Sequence, residues 1–155
     1  MKSALLIFFF SFFLFSCAVK SKKETPVAKP DKMVLMEADR KFSSLCEEKG
    51  MKNAFLEYID SNGLLLRPNE IPVIGANAID YLVRQNDSEF KLSWKPKDGV
   101  IAESGELGFT YGYYAMQPKN RDTVFYGTYV NVWKKQHDGS WKYILNSGND
   151  GIGDK

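Results

Sequence analysis

The chain has 155 residues, 44% of them hydrophobic, which allows one domain with a real core but not two once the first segment is set aside. The net charge of +2 is unevenly spread: Lys2 and the lysines of residues 18–32 hold the excess, and residues 33–155 carry −2. A mildly acidic domain without a basic stripe is a poor nucleic-acid binder, because phosphate contacts supply most of that affinity.

Lys2 precedes an apolar run from Ala4 to Phe15, interrupted only by Ser11. At roughly 12 residues the run is shorter than the ~20 a transmembrane helix needs, and it reads as a signal-peptide core. It ends in Leu14, Phe15, Ser16 and Cys17, which resembles the bacterial lipobox, with Phe15 bulkier than usual at its place. The resemblance implies cleavage before Cys17 and lipidation of its thiol, so that residues 1–16 are removed. Each buried methylene of an acyl chain contributes about 0.8 kcal/mol, enough for two or three chains to hold the protein to a membrane of the cell envelope. The domain then faces the periplasm or the cell surface. Residues 17–32 contain Pro26, Pro30 and five lysines with no aromatic residue, a composition that forms a tether rather than a core.

The domain is read over residues 33–155. From Val34 to Glu48, Leu35, Ala38, Phe42 and Leu45 recur at helical spacing, with Gly50 placed to end the helix. A second helix covers Lys52 to Asp60 and stops at Asn62-Gly63. Leu64 to Arg67 reads as a short strand, Pro68 and Pro72 as loop, and Ala76 to Gln85 as a third helix. Cys46 reads as a small buried hydrophobe, since its context differs too much from that of Cys17 for a disulfide.

After Asn86 the apolar period changes to two, as Phe90, Leu92 and Trp94 alternate with Lys91, Ser93 and Lys95. Asp98-Gly99 is expected to turn the chain into a strand running from Val100 to Met116 through Glu103 and Glu106. A further strand covers Thr123 to Lys135, and His137-Asp138-Gly139 turns it into a last one, Trp141 to Asn146. Helices followed by a long antiparallel meander give an α+β domain with the helices on one face of the sheet.

SWKPKDGVIAESGELGFTYGYY (Ser93 to Tyr114) and YGTYVNVWKKQHDGSWKYILNSG (Tyr126 to Gly148) resemble the last strands of the nuclear transport factor 2-like superfamily, in its SnoaL-like and ketosteroid isomerase-like bacterial branch. EADRKFSSL (Glu37 to Leu45) and FLEYIDSNGLLLRPNEIPVIGANAIDYL (Phe55 to Leu82) fit the same pattern in the same order. The resemblance implies a cone, in which a strongly bent sheet wraps three helices and leaves a pocket at its wide end, and it implies that dimers, here homodimers, are common among such chains. It assigns no single function, because the superfamily includes enzymes, binding modules and oligomerisation domains.

Enzymes of the superfamily use a pocket carboxylate as proton shuttle, which makes Asp39, Tyr58, Asp60, Glu103 and Glu106 the residues to weigh. Asp39, next to Arg40, reads as a surface or ion-paired residue, and Asp60 as a turn residue. Relatives often carry Asp at the positions of Glu106 and Asn146 and His at that of Thr128. Thr128 and Asn146 cannot accept a proton near neutral pH. The lone histidine, His137, lies in a turn, and with one domain cysteine there is no zinc set; no metal or other cofactor is implied. The remaining feature is aromatic. Trp94, Phe109, Tyr111, Tyr113, Phe125, Tyr129 and Trp133 alternate along adjacent strands, without alternation fixing which face is concave. Tyr58, Trp94, Tyr111, Tyr113, Tyr129 and Trp133 are taken as the ligand-binding set. The leading expectation is a lipid-anchored domain that binds a small, largely apolar ligand; the alternatives are a proton-transfer enzyme and a protein-interaction module.

Overall fold

The computed structural model describes residues 30–152, so the expected signal peptide, Cys17 and most of the tether lie outside the described residues. The elements run α1 (Met33–Lys49), α2 (Met51–Tyr58), β1 (Ile59–Leu66), β2 (Val73–Ile74), α3 (Ala76–Arg84), β3 (Phe90–Ile101), β4 (Leu107–Pro118), β5 (Phe125–Lys135) and β6 (Trp141–Asp150). The six strands form one curved, unclosed sheet in the order β2-β1-β6-β5-β4-β3, with the helices against its inner face. No helix among the described residues is long and apolar enough to cross a membrane.

α1 lies along β3 and buries Leu35, Met36, Asp39, Phe42, Ser43 and Cys46. This stripe is turned slightly from the expected one, and Ala38 and Leu45 stand at its margin, only partly buried. Phe42 is the hub of the core, its ring 4.6 Å from that of Trp94, 4.8 Å from Phe55 and 4.9 Å from Tyr58. Gly50 ends α1 as expected, at a φ of 87° that glycine adopts without strain, its N–H on the Cys46 carbonyl at 3.0 Å. The Asp87 carboxylate accepts the Lys52 N–H at 2.7 Å and so satisfies one of the donors that open α2.

The sheet departs from the expected meander in two places. β1 begins at Ile59, earlier than expected, and pairs parallel with β6 (Leu64 with Leu145, Leu65 with Asn146), so the sheet is mixed. Asn62-Gly63 lies in an irregular stretch of β1, where a side chain on Gly63 would collide with Ile59. Asp98-Gly99 does not turn the chain. β3 continues to Ile101 past a register shift between Pro96 and Asp98, a bulge that accommodates a proline with no N–H to give. The reversal comes at residues 102–105, where the Gly105 N–H meets the Ala102 carbonyl at 2.8 Å and Gly105 takes a φ of 73°.

Large and small residues alternate across the inner face. The register sets Trp133 opposite Gly108, Asn131 opposite Thr110, Tyr129 opposite Gly112 and Tyr114 opposite Gly127. β4 thus turns small residues inward, and a Cβ on Gly108 would sit 2.3 Å from Leu35 of α1. β3 is an edge strand, and at Trp94 its outward N–H and C=O are both taken by the Ser43 hydroxyl, at 2.9 and 2.8 Å. One helix thereby covers the edge that would otherwise invite another chain.

Candidate functional site

At the wide end, α2, the end of β1 and the inner faces of β3 to β6 enclose a recess of about 210 Å³. Phe55, Phe90, Leu92 and Met116 supply apolar wall, while Trp94, Tyr129, Asn131 and Asn146 form its polar side. Arg67 and Asp150 also line it.

Behind the polar side lies a buried carboxylate. Asp39 is 0% exposed, and its Oδ1 accepts the Trp94 indole N–H at 2.7 Å and the Asn131 amide at 3.2 Å, while Oδ2 accepts the Tyr129 hydroxyl at 2.9 Å. The network extends outward, with the Asn146 amide donating to the Asn131 carbonyl oxygen at 2.6 Å. Burial raises the Asp39 carboxyl above the usual carboxylate range; the hydrogen bonds from Trp94, Tyr129 and Asn131 pull the other way without overcoming it. The Tyr129 hydroxyl is held firmly protonated by burial and by the adjacent Asp39. Asp39 is therefore neither a surface residue nor the partner of Arg40, which pairs instead with Glu37 at 3.2 Å.

The expected ligand-binding set separates. Trp94 and Tyr129 line the recess. Trp133 is wholly buried beneath it, its indole N–H on the Thr110 hydroxyl at 2.7 Å, and Tyr58 packs on Phe42 away from it, beside α1 and Trp141. Tyr111 and Tyr113 are corrected outright: paired with Val130 and Thr128 on the outer face, they are 44% and 52% exposed. Phe109 stands with them. The physical reason is the demand for small residues on the inner side of β4, where helix α1 passes close.

The acidic candidates fall away from the recess too. Glu103 lies in the turn after β3 rather than in a strand, and Glu106 sits exposed just before β4. Asp60 is not a turn residue but lies in the irregular first part of β1, accepting the Asn62 N–H at 2.9 Å and the Gln136 amide at 3.0 Å, and the first of these holds its carboxyl below the usual range. His137 is exposed in the β5–β6 turn, and Thr128 lies on the outer face. Cys46 is buried, its thiol pushed up to about 12 by burial, and donates to the Leu92 carbonyl at 3.3 Å. Among the described residues no three His, Cys, Asp or Glu side chains gather as a metal site requires. Three residues of the site went unread in the sequence: Asn131, an isolated polar residue among the apolar residues of β5, Arg67, read only as the end of a short strand, and Asp150, which lies beyond the expected end of the last strand.

No protein-family model matches the chain, and no curated protein sequence does. Solved structures do. A ketosteroid isomerase-like protein from Erwinia carotovora atroseptica superposes with a TM-score of 0.60 at 13% identity, over 79% of this chain and 98% of that one. A nuclear transport factor 2-like protein from Cytophaga hutchinsonii gives 0.57 at 16% identity, over 78% and 98%. A domain of unknown function with a cystatin-like fold from Nostoc punctiforme gives 0.64 at 10% identity, over 79% and 78%. The fold of this chain is the nuclear transport factor 2-like cone.

Proposed function

We propose that the domain binds a small, largely apolar molecule in the recess at the wide end of the cone without turning it over, and that lipid on Cys17 holds it to a membrane of the bacterial cell envelope. The observation that carries the binding reading is an apolar-walled recess whose polar side is already engaged within the protein. Trp94, Tyr129 and Asn131 all spend a donor on Asp39, and Asn146 spends one on Asn131. A general base must come within hydrogen-bond reach of the proton it takes. Asp39 is screened from the recess by its own donors, and Asp150, at the rim, already accepts the Tyr114 hydroxyl at 2.5 Å. Asn146 stands where relatives often carry an acid, and an amide cannot serve as a base near neutral pH.

The test is the recovery of small molecules from the native protein by denaturing extraction and mass spectrometry. Wild type is expected to release a bound species that Leu92→Trp, which fills the recess, does not. Equal recovery from both would end the pocket reading. The anchoring half rests on Leu14 to Cys17 and is tested separately: Cys17→Ser abolishes incorporation of labelled fatty acid, and a labelled, membrane-associated Cys17→Ser protein would refute it.

A further inference from the structure

Arg67 follows directly on β1 and is half-buried where the recess opens to solvent, lining both the recess and the shallow depression beside it. Its Nη1 donates to the Leu66 carbonyl at 2.9 Å and to the Asn146 carbonyl at 3.2 Å, and its guanidinium lies 6.0 Å over the Phe55 ring. These contacts fix the plane of the group and leave Nη2 and Nε with no hydrogen-bond acceptor among the described residues. None of the ion pairs among the described residues includes it. No buried polar side-chain atom among the described residues lacks a partner, so solvent reaches these two nitrogens.

A cation taken partly out of water without a counter-ion is costly, and burial accordingly weakens the hold of Arg67 on its proton. The fork of a guanidinium matches a carboxylate in two parallel hydrogen bonds. Of the acids near it, Asp150, which lines the recess, is committed to Tyr114, whose hydroxyl burial and Asp150 push up to about 12, and Glu70, whose charge also acts on Arg67, is exposed and accepts the Tyr81 hydroxyl at 3.4 Å. The recess, at about 210 Å³, is smaller than the ~300 Å³ at which sites for drug-sized ligands begin.

We infer that the ligand is a monocarboxylic acid with a compact apolar body, its carboxylate on Arg67 and its body among Phe55, Leu92 and Met116. The inference rests on the binding reading above and adds to it the charge and size of the ligand. Because Arg67 stands at the mouth, the acid enters body first.

The experiment titrates 3-phenylpropanoate, 3-phenylpropan-1-ol and 3-phenylpropylamine calorimetrically into the full chain at neutral pH. The acid is expected to bind at least tenfold more tightly than the alcohol, and the amine least tightly. Arg67→Gln removes the charge while keeping a polar side chain; it should bring the acid to the affinity of the alcohol. Equal binding of acid and alcohol by wild type, or an acid preference that survives in Arg67→Gln, would overturn the charge assignment while leaving the apolar pocket intact. Failure of all three to bind would overturn both. The wild-type comparison needs no variant to fold.

Discussion

Asp39 lies four residues after Leu35 and three before Phe42, so the helical period alone carries it beneath the sheet. Its neighbour Arg40 suggests a surface pair only when the two are read as adjacent letters rather than as positions 100° apart on a helix. The carboxylate meets three side-chain donors, one each from β3 and two from β5, and so ties α1 to the middle of the sheet. Asp39→Leu leaves those donors without an acceptor, at about 1–3 kcal/mol each, and should lower the urea midpoint steeply. Asp39→Asn keeps one acceptor oxygen, and the Tyr129 hydroxyl can rotate to accept from the new amide. The pH dependence separates charge from shape. The folded carboxyl binds its proton more tightly than the unfolded one, so this group's contribution to stability is fully present below the ordinary value of 3.8 and is lost as pH rises through the raised one. Urea denaturation from pH 3.5 to 7 should show Asp39→Asn gaining on wild type as pH rises; a constant difference would mean that Asp39 is buried without a shifted proton affinity. Arg67 was illegible for a different reason, since its meaning depends on Asn146 and Phe55, which only the fold brings to it.

The helices and the strand positions are readable as elements because their periods are clean, and Gly50 stops α1 at a positive φ, with an extended ψ of 160° rather than a left-handed helical one. What failed was punctuation. Asp98-Gly99 has the composition of a turn, yet Pro96 just before it makes a bulge in a continuing strand, and the Asp98 carboxylate bonds the Gly99 N–H at 2.8 Å and Lys32 at 2.5 Å there. Two-residue alternation gave two faces for β4 but no sign, and the sign was set by what α1 could approach. Gly108, Thr110 and Gly112 point inward as a consequence, and the aromatics between them point out. β5 is paired on both sides along most of its length, by β4 and by β6, and holds Tyr129, Asn131 and Trp133 against the core. Amide exchange should therefore be slowest from Tyr129 to Trp133 and faster in β2 and in the residues 102–105 turn. Faster exchange in β5 than in β3 would contradict the assignment of β5 to the middle of the sheet.

For the molecule as a whole, the cone is legible from four ordered segments, whereas Tyr111 and Tyr113, on its outer surface, read as part of its lining. Phe109, Tyr111, Tyr113 and Tyr126 stand exposed together on the convex face, a concentration beyond the scattered apolar residues of an ordinary surface. The homodimer expected from the resemblance would cover this face. Tyr111→Glu combined with Tyr113→Glu should then convert a dimer to a monomer in sedimentation while leaving ligand recovery from the recess unchanged. An unaltered sedimentation coefficient would place any self-association elsewhere.

The parallel pairing of β1 with β6 also orders events in time. Residues 59–66 have only the two-residue β2 beside them until residues 141–150, some eighty positions later, have been synthesised. The loop to be closed is long, and its closure entropy falls due before the contacts that reward it can form. The wide end, with Arg67 on one side of that seam and Asn146 on the other, is thus assembled only once β6 has left the ribosome. A chain with this connectivity stays without its binding recess for as long as it is being made, and a nascent chain stalled before Trp141 should remain protease-sensitive throughout residues 59–84.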